Sequence, residues 1–233
     1  MRPRICVTTW YDPAFAPLGD LCRDSLAEWC WRQRYDLRIV DVPRSDRPLA
    51  WHKVEILRHL LRGDAEFVLW VDADAIVVRP DVGIHGEIEP GRDVYLVEHH
   101  YDGKRVPNTG LLLLRRSEWT SRFLEDVWQS ERYVQHPWWE NAAIIDLLGV
   151  FEAFGDGRAS VPDPARSAKV RWLPLRWNSV PEVDEADDAV IKHYAGRPIP
   201  WRMEHMQREA ARLARDRGLR GLAMRWARCV AGA

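Results

Sequence analysis

The chain has 233 residues, 46% hydrophobic and 30% charged, which suits a globular protein with a sizeable core and excludes a disordered chain. Lysine and arginine number 34 against 35 aspartates and glutamates, a formal net charge of −1, so no bulk charge draws the protein to nucleic acid. The four cysteines, Cys6, Cys22, Cys30 and Cys229, form no CxxC pair, which argues against a structural zinc site and for free thiols in a reducing compartment.

The first residues hold too short an apolar stretch for a secretion signal, and no window reaches the roughly 18 to 20 apolar residues of a membrane span. The expected location is therefore cytoplasmic. "RICVTTWY" (4–11) reads as a strand, and 17–34 carries apolar residues at helical spacing. A strand follows at 35–42, a turn-rich loop to Pro48, and a helix at 50–62 closed by Gly63. "FVLWVDADAIVV" (67–78) reads as the third strand. This alternation predicts an α/β fold with a mixed, mostly parallel sheet and helices on its faces. Strands are expected next at 93–100 and 110–117, then a helix at 117–131 capped by Ser117 and another at 138–150. Strand regions at 170–178 and 188–194 precede a basic helical tail, in which 202–228 holds eight arginines and three acidic residues. Met203, Met206, Ala210 and Leu213 share one helical face, and Leu219, Leu222 and Trp226 follow Gly218, which suggests a pair of helices packed on the domain. The alternative use of such a basic amphipathic segment is peripheral membrane contact.

Asp72 and Asp74 interrupt the most apolar run of the chain. Two buried carboxylates close together are costly unless compensated. In an extended segment they would point to one side and could share a divalent cation. Ligands of open α/β sheets bind beyond the carboxyl ends of strands, where Thr8, Thr9, Tyr11 and His193 also fall. Asp72, Asp74 and His193 form an O,O,N ligand set that suits Mn²⁺, with Mg²⁺ as the all-oxygen variant. Gly196 would let backbone approach a diphosphate, and Arg197 could bond it. The 13 tryptophans hint at a sugar or nucleotide ligand.

The blocks "VTTWYD", "WHK" before a helix, "WVDADAIV", "NTGLLLLRRSEW", "WWENAAIIDLL" and "HYAGRPIPW" occur in this order between residues 4 and 201. Together they resemble a small GT-A-type glycosyltransferase, close to the galactosyl/mannosyl/xylosyl-transferase group of retaining enzymes and its glycogenin-like relatives. The resemblance implies one GT-A-type, Rossmann-like domain over 1–201, with 202–233 as a C-terminal helical extension packed on it. It implies metal-dependent transfer of a hexose or pentose from a nucleotide sugar to an acceptor hydroxyl, with retention of configuration. Asp72, Ala73 and Asp74 would contact the nucleotide and metal, with His193 as third ligand. Gly196 and Arg197 would lie by the diphosphate, and Thr8, Thr9 and Tyr11 by the base. Lys53 would reach the donor phosphate or sugar, and Asn108, Thr109 and Gly110 would border the sugar. Glu140 and Asn141 would form the acid–amide pair beside the anomeric carbon.

Two departures stand out. Relatives with an H-x-x-G-x-x-K-P-W ending carry lysine where this chain has Ile199, so Arg197, Lys192, Lys53 or the metal must meet the diphosphate charge. The acid–amide pair is often Asp-Gln, and here it is Glu-Asn. The threonines and aromatic ring of "VTTWY" suit a pyrimidine, so a UDP-sugar is the expected donor. The acceptor is a small molecule, a glycan or a lipid-linked sugar, walled by 98–108 and 151–180. Rival readings are a haloacid-dehalogenase-like phosphohydrolase using the DxD and a non-catalytic nucleotide-sugar or carbohydrate-binding module. A sugar nucleotidyltransferase lacks its glycine-rich loop here.

Overall fold

The computed structural model describes residues 2–42, 44–101, 103–149 and 163–230, with side chains described up to residue 216 except that of Tyr101. The first half runs β1 (Ile5–Thr8), α1 (Ala16–Gln33), β2 (Asp36–Leu37), α2 (His52–Leu60), β3 (Phe67–Val71) and β4 (Ala75–Val77). The second half adds β5 (Val94–Tyr101), β6 (Lys104–Arg115), α3 (Glu118–Trp128), α4 (Trp139–Leu148), α5 (Pro164–Ser167), β7 (Val170–Leu173), β8 (Ile191–His193) and α6 (Ile199–Val230).

Six strands form one sheet in the order β2-β1-β3-β6-β5-β7. β1 pairs parallel with β2 and β3, and β5 with β7, while β6 runs antiparallel to both its neighbours. The sheet is mixed and mostly parallel, as the alternation predicts. Alternate residues of β3 serve opposite faces. Phe67, Leu69 and Val71 join the core under α1, β4, β8 and the start of α6. Val68 and Trp70 join the core under α2, α3 and α4. Burial on both faces explains the unbroken apolar run of this strand.

Several boundaries differ from expectation. The second strand shrinks to two residues, because its partner β1 ends at Thr8. β6 is longer than its apolar half suggests, since its polar start pairs with the far end of β5 in a hairpin. α2 ends at Leu60 with Leu61 as its C-cap, and Gly63 sits in the following turn, donating its N–H to Leu60 O at 3.0 Å. Ser117 caps α3 as expected, accepting the Thr120 N–H at 3.1 Å. The tail is one helix, not a pair. An interior glycine costs only about 1 kcal/mol, and the helix runs through both Gly218 and Gly221.

The first turns of α6 pack on the core. Met206 is fully buried, with Met203, Ala210 and Trp201 beside it. Glu209 pairs with Lys192 at 3.1 Å. The side chains of Leu219, Leu222 and Trp226 lie outside the described residues. No helix of the described residues is long and apolar enough to cross a membrane. Cys6, Cys22 and Cys30 are free and buried, and burial pushes the Cys6 thiol up to about 11. Cys229 lies beyond the described side chains.

Candidate functional site

The DxD is built by a turn and not by an extended pleat. β3 ends where Asp72 N–H donates to Gly110 O at 2.7 Å, and Ala75 N–H closes back on Asp72 O at 3.0 Å. The chain must turn there because β4 leaves the main sheet to pair with β8, setting Ala75 opposite His193. Each carboxylate is then divided between two tasks. Asp72 Oδ1 accepts from Trp70 Nε1 and lies 3.1 Å from Lys53 Nζ, while Oδ2 lies 3.7 Å from His193 Nε2. Asp74 Oδ2 binds Arg202 Nη1 at 2.9 Å, while Oδ1 lies 3.2 Å from His193 Nε2. One ligand atom from each of Asp72, Asp74 and His193 lies within 4.8 Å of the others.

The ring of His193 is oriented by two amides. Gly110 N–H donates to Asn108 Oδ1 at 2.7 Å, which fixes that atom as the oxygen. Asn178 Nδ2 donates to the same oxygen at 3.0 Å, so Asn178 Oδ1 faces His193 Nδ1 at 2.9 Å. Nδ1 must donate, and Nε2 is left toward the aspartates, the arrangement that suits a metal-ligating imidazole. Burial disfavours charge on His193, but Asp74 and then Asp72 hold its pKa above the ordinary value. Burial acts upward on Asp74, and His193 and Arg202 outweigh it and pull that carboxyl down.

Gly110 makes room for the ring. A Cβ there would sit 2.0 Å from His193 Cε1, and the buried ring has nowhere to retreat. Gly110→Ala is expected to weaken divalent-metal binding at least ten-fold in calorimetry, with an unchanged circular-dichroism spectrum. Unchanged affinity would show that the ring position does not govern the cluster.

Beside the aspartates lies a second charged group. Lys53, in the first turn of α2, places Nζ 2.8 Å from Glu140 Oε1 and 3.3 Å from Thr109 O. Both side chains are 5% exposed. Burial opposes the lysine charge, yet Asp72 and Glu140 together hold its pKa up. Glu140 shares that lysine with Asp72, and burial pushes its pKa up despite Lys53. Its Oε2 is buried with no hydrogen-bond partner. Just before it, Trp139 has φ +42°, a costly conformation for a bulky residue and one that clusters at functional sites. Asn141 Oδ1 accepts the Thr109 N–H at 2.9 Å.

The remaining expected residues are spread around this centre. Thr8 and Thr9 are fully buried, and Thr8 Oγ1 has no partner. Tyr11 donates its hydroxyl to Asp20 at 2.8 Å, and its ring lies so close to Gly19 that a Cβ there would be 2.2 Å away. Ala73 sits inside the DxD turn. Gly196 has φ +72° and open space where a Cβ would go. Arg197 pairs with Glu182 at 3.2 Å, and Lys192 with Glu185 at 3.2 Å. Ile199 is half exposed. The expected acceptor walls fall partly outside the described residues, at 102 and 151–162. Sequence reasoning missed Asn178 and Arg202. Asn178 carries no local pattern, and Arg202 is one arginine among eight in a basic helix.

The model of the galactosyl transferase GMA12/MNN10 family matches residues 20–92, which contain Lys53 and the DxD. No curated protein matches the sequence. Solved structures match over most of the chain. A glycosyltransferase involved in glycosylation of the major capsid of PBCV-1 has a TM-score of 0.69 at 16% identity, over 88% of this chain and 99% of that one. The galactosyltransferase LgtC, solved in complex with donor and acceptor sugar analogs, has a TM-score of 0.57 at 14% identity, over 89% and 95%. The glycosyltransferase GlyE of Streptococcus pneumoniae TIGR4 has a TM-score of 0.52 at 15% identity, over 90% and 60%. At these identities the likeness is one of fold. Residues 20–92 thus resemble the galactosyl transferase GMA12/MNN10 family, and over most of its length the chain shares the fold of these glycosyltransferase structures.

Proposed function

We propose that this protein moves a hexose or pentose from a UDP-sugar to an acceptor hydroxyl with retention of configuration. Asp72, Asp74 and His193 are the residues that would hold Mn²⁺ or Mg²⁺. The observation that carries this reading is the division of labour in the DxD. One oxygen of each aspartate is engaged by a cation of the protein, and the other is turned toward His193 Nε2. Two carboxylate oxygens and an oriented imidazole nitrogen are a donor set that fits such a cation. When bound, it supplies positive charge beside a leaving diphosphate.

The protein's own groups do the rest. The bond from the anomeric carbon to the diphosphate oxygen breaks, and a bond to the acceptor oxygen forms on the same face. The acceptor proton passes to the departing diphosphate. Glu140 Oε2, buried and unpartnered, stabilises positive charge at the anomeric carbon, while Lys53 holds Oε1 and thereby fixes the carboxylate. Lys53 serves the donor through Asp72 and Glu140. Gly196, in open backbone beyond His193, faces the diphosphate. Thr8, Thr9 and Tyr11 serve the base, and Asn108, Thr109 and Gly110 border the sugar. Residues 1–201 are the transferase domain, and the first turns of α6 complete it by delivering Arg202 to Asp74.

Calorimetry with UDP and GDP, with and without Mn²⁺, tests the donor. UDP is expected to bind only with metal, and more tightly than GDP. Tighter GDP binding would overturn the base assignment, and metal-independent binding the metal assignment. Glu140→Gln is expected to lower kcat at least a hundred-fold with donor affinity changed less than three-fold, as for an interaction made in the transition state. Near-normal turnover would return Glu140 to a structural role.

A further inference from the structure

A cleft of about 440 Å³ is lined by Arg44, Ser45, Arg47, Leu49, His52 and Glu55. His52, one of its lining residues, immediately precedes Lys53 at the start of α2. Trp10, two residues beyond β1, meets His52 edge to face at 4.5 Å between ring centroids, and the Arg44 guanidinium lies 5.7 Å from the Trp10 ring.

Two features of this cleft lack a matching polar partner within the protein. The first is its charge. Arg47 lies over Trp128 at 4.1 Å and donates to Trp128 O at 2.7 Å, so its position is fixed without a carboxylate. Neither Arg44 nor Arg47 has an ion pair among the described residues. Glu55, the carboxylate lining the cleft, is occupied by His52 Nδ1 at 2.9 Å. The second is His52 itself. It is 2% exposed and its Nε2 is buried with no partner. Glu55 Oε2 takes Nδ1, so Nε2 is the ring nitrogen left without a partner. An orphaned buried ring nitrogen beside two arginines without an ion pair calls for a ligand with both a hydroxyl, which can donate or accept, and an anionic group.

We propose that this cleft is the acceptor site and that the acceptor is an acidic saccharide. Its phosphate or carboxylate is held by Arg44 and Arg47. A sugar hydroxyl hydrogen-bonds His52 Nε2, and the apolar face of the sugar ring lies near Trp10. The acceptor role rests on the transferase reading above; the anion-binding chemistry rests on the cleft alone.

The test is calorimetry of the full-length protein with methyl galactoside, galactose 6-phosphate and galacturonic acid, in the presence of Mn²⁺ and UDP. At least one charged sugar is expected to bind ten-fold or more tightly than the neutral one, by a margin that shrinks with added salt. The phosphate and carboxylate arms tell which anion is read. Arg44 is exposed, so Arg44→Gln should fold normally. It is expected to abolish the margin while leaving Mn²⁺-dependent UDP affinity within two-fold. Equal binding of neutral and charged sugars, or an unaltered margin in Arg44→Gln, would overturn the proposal. Competition between the charged sugar and UDP would also overturn it, by assigning the cleft to the donor. If wild-type protein binds no UDP with Mn²⁺ yet keeps the Arg44-dependent margin, the transferase reading fails and the anionic-saccharide site stands.

Discussion

Asp74→Asn is expected to lower divalent-metal affinity at least a hundred-fold, about 2.7 kcal/mol, and to abolish metal-dependent UDP binding in a protein that remains folded. The carboxylate is bound on both sides, by Arg202 through Oδ2 and toward His193 through Oδ1. An amide keeps the shape but removes the charge that both partners use. The pH dependence follows with its sign. The pKa of His193 is raised in the metal-free fold, so its contribution to stability is fully present below the unfolded value and lost as pH rises through the folded one. That of Asp74 is lowered, so its contribution is present above the unfolded carboxylate value and lost as pH falls through the folded one. A metal ion competes with the proton on His193. Thermal unfolding should therefore show stabilisation by Mn²⁺ growing as pH rises through the His193 pKa, and little stabilisation in Asp74→Asn at any pH. Equal stabilisation of wild type and variant would remove Asp74 from the metal set.

Lys53→Met is expected to destabilise the protein by about 3–5 kcal/mol, the usual consequence of leaving buried charge uncompensated. For a chain of this size that corresponds to a fall in Tm of roughly 10 °C. The lysine lies within 3.1 Å of Asp72 Oδ1 and 2.8 Å of Glu140 Oε1, and methionine fills its volume without its charge. Adding Glu140→Gln should recover part of the loss, because the neutral amide no longer needs the cation. Melting of the two single variants and the double variant gives the coupling. An additive double variant would mean that Lys53 and Glu140 do not depend on each other, and an unchanged Tm in Lys53→Met would remove the charged triad as a stabilising feature.

Helices α1 and α3 and the central strand β3 were legible because their signals are local. Apolar residues repeat at helical spacing in α1 and α3, Ser117 supplies a cap, and a strand buried on both faces must read as an apolar run. Asp72 and Asp74 stood out for the same reason, as charges where burial predicts none, and His193 as an imidazole ending the last apolar run. Their convergence within 4.8 Å was anticipated, but the means was not. An extended pleat was expected, and a turn does it, because β4 leaves one sheet for another. No local pattern announces that exchange of partners.

Residue types and their order along the chain were thus enough to determine an α/β fold of mixed, mostly parallel sheet and to single out two aspartates and a histidine. Tertiary structure alone decided what each of them faces. Lys53 lies buried between Asp72 and Glu140. Arg202 reaches Asp74 across 128 positions of sequence, and Asn178 sets the His193 ring through Asn108 and Gly110. That Arg44 and Arg47 line one cleft without a carboxylate partner among the described residues is likewise visible only in the folded chain. Periodicity and punctuation record which face of an element is buried. Ion pairs and oriented hydrogen bonds depend on distances of a few ångströms between elements far apart in the chain, and those distances exist only after the sheet and its two helical layers have packed.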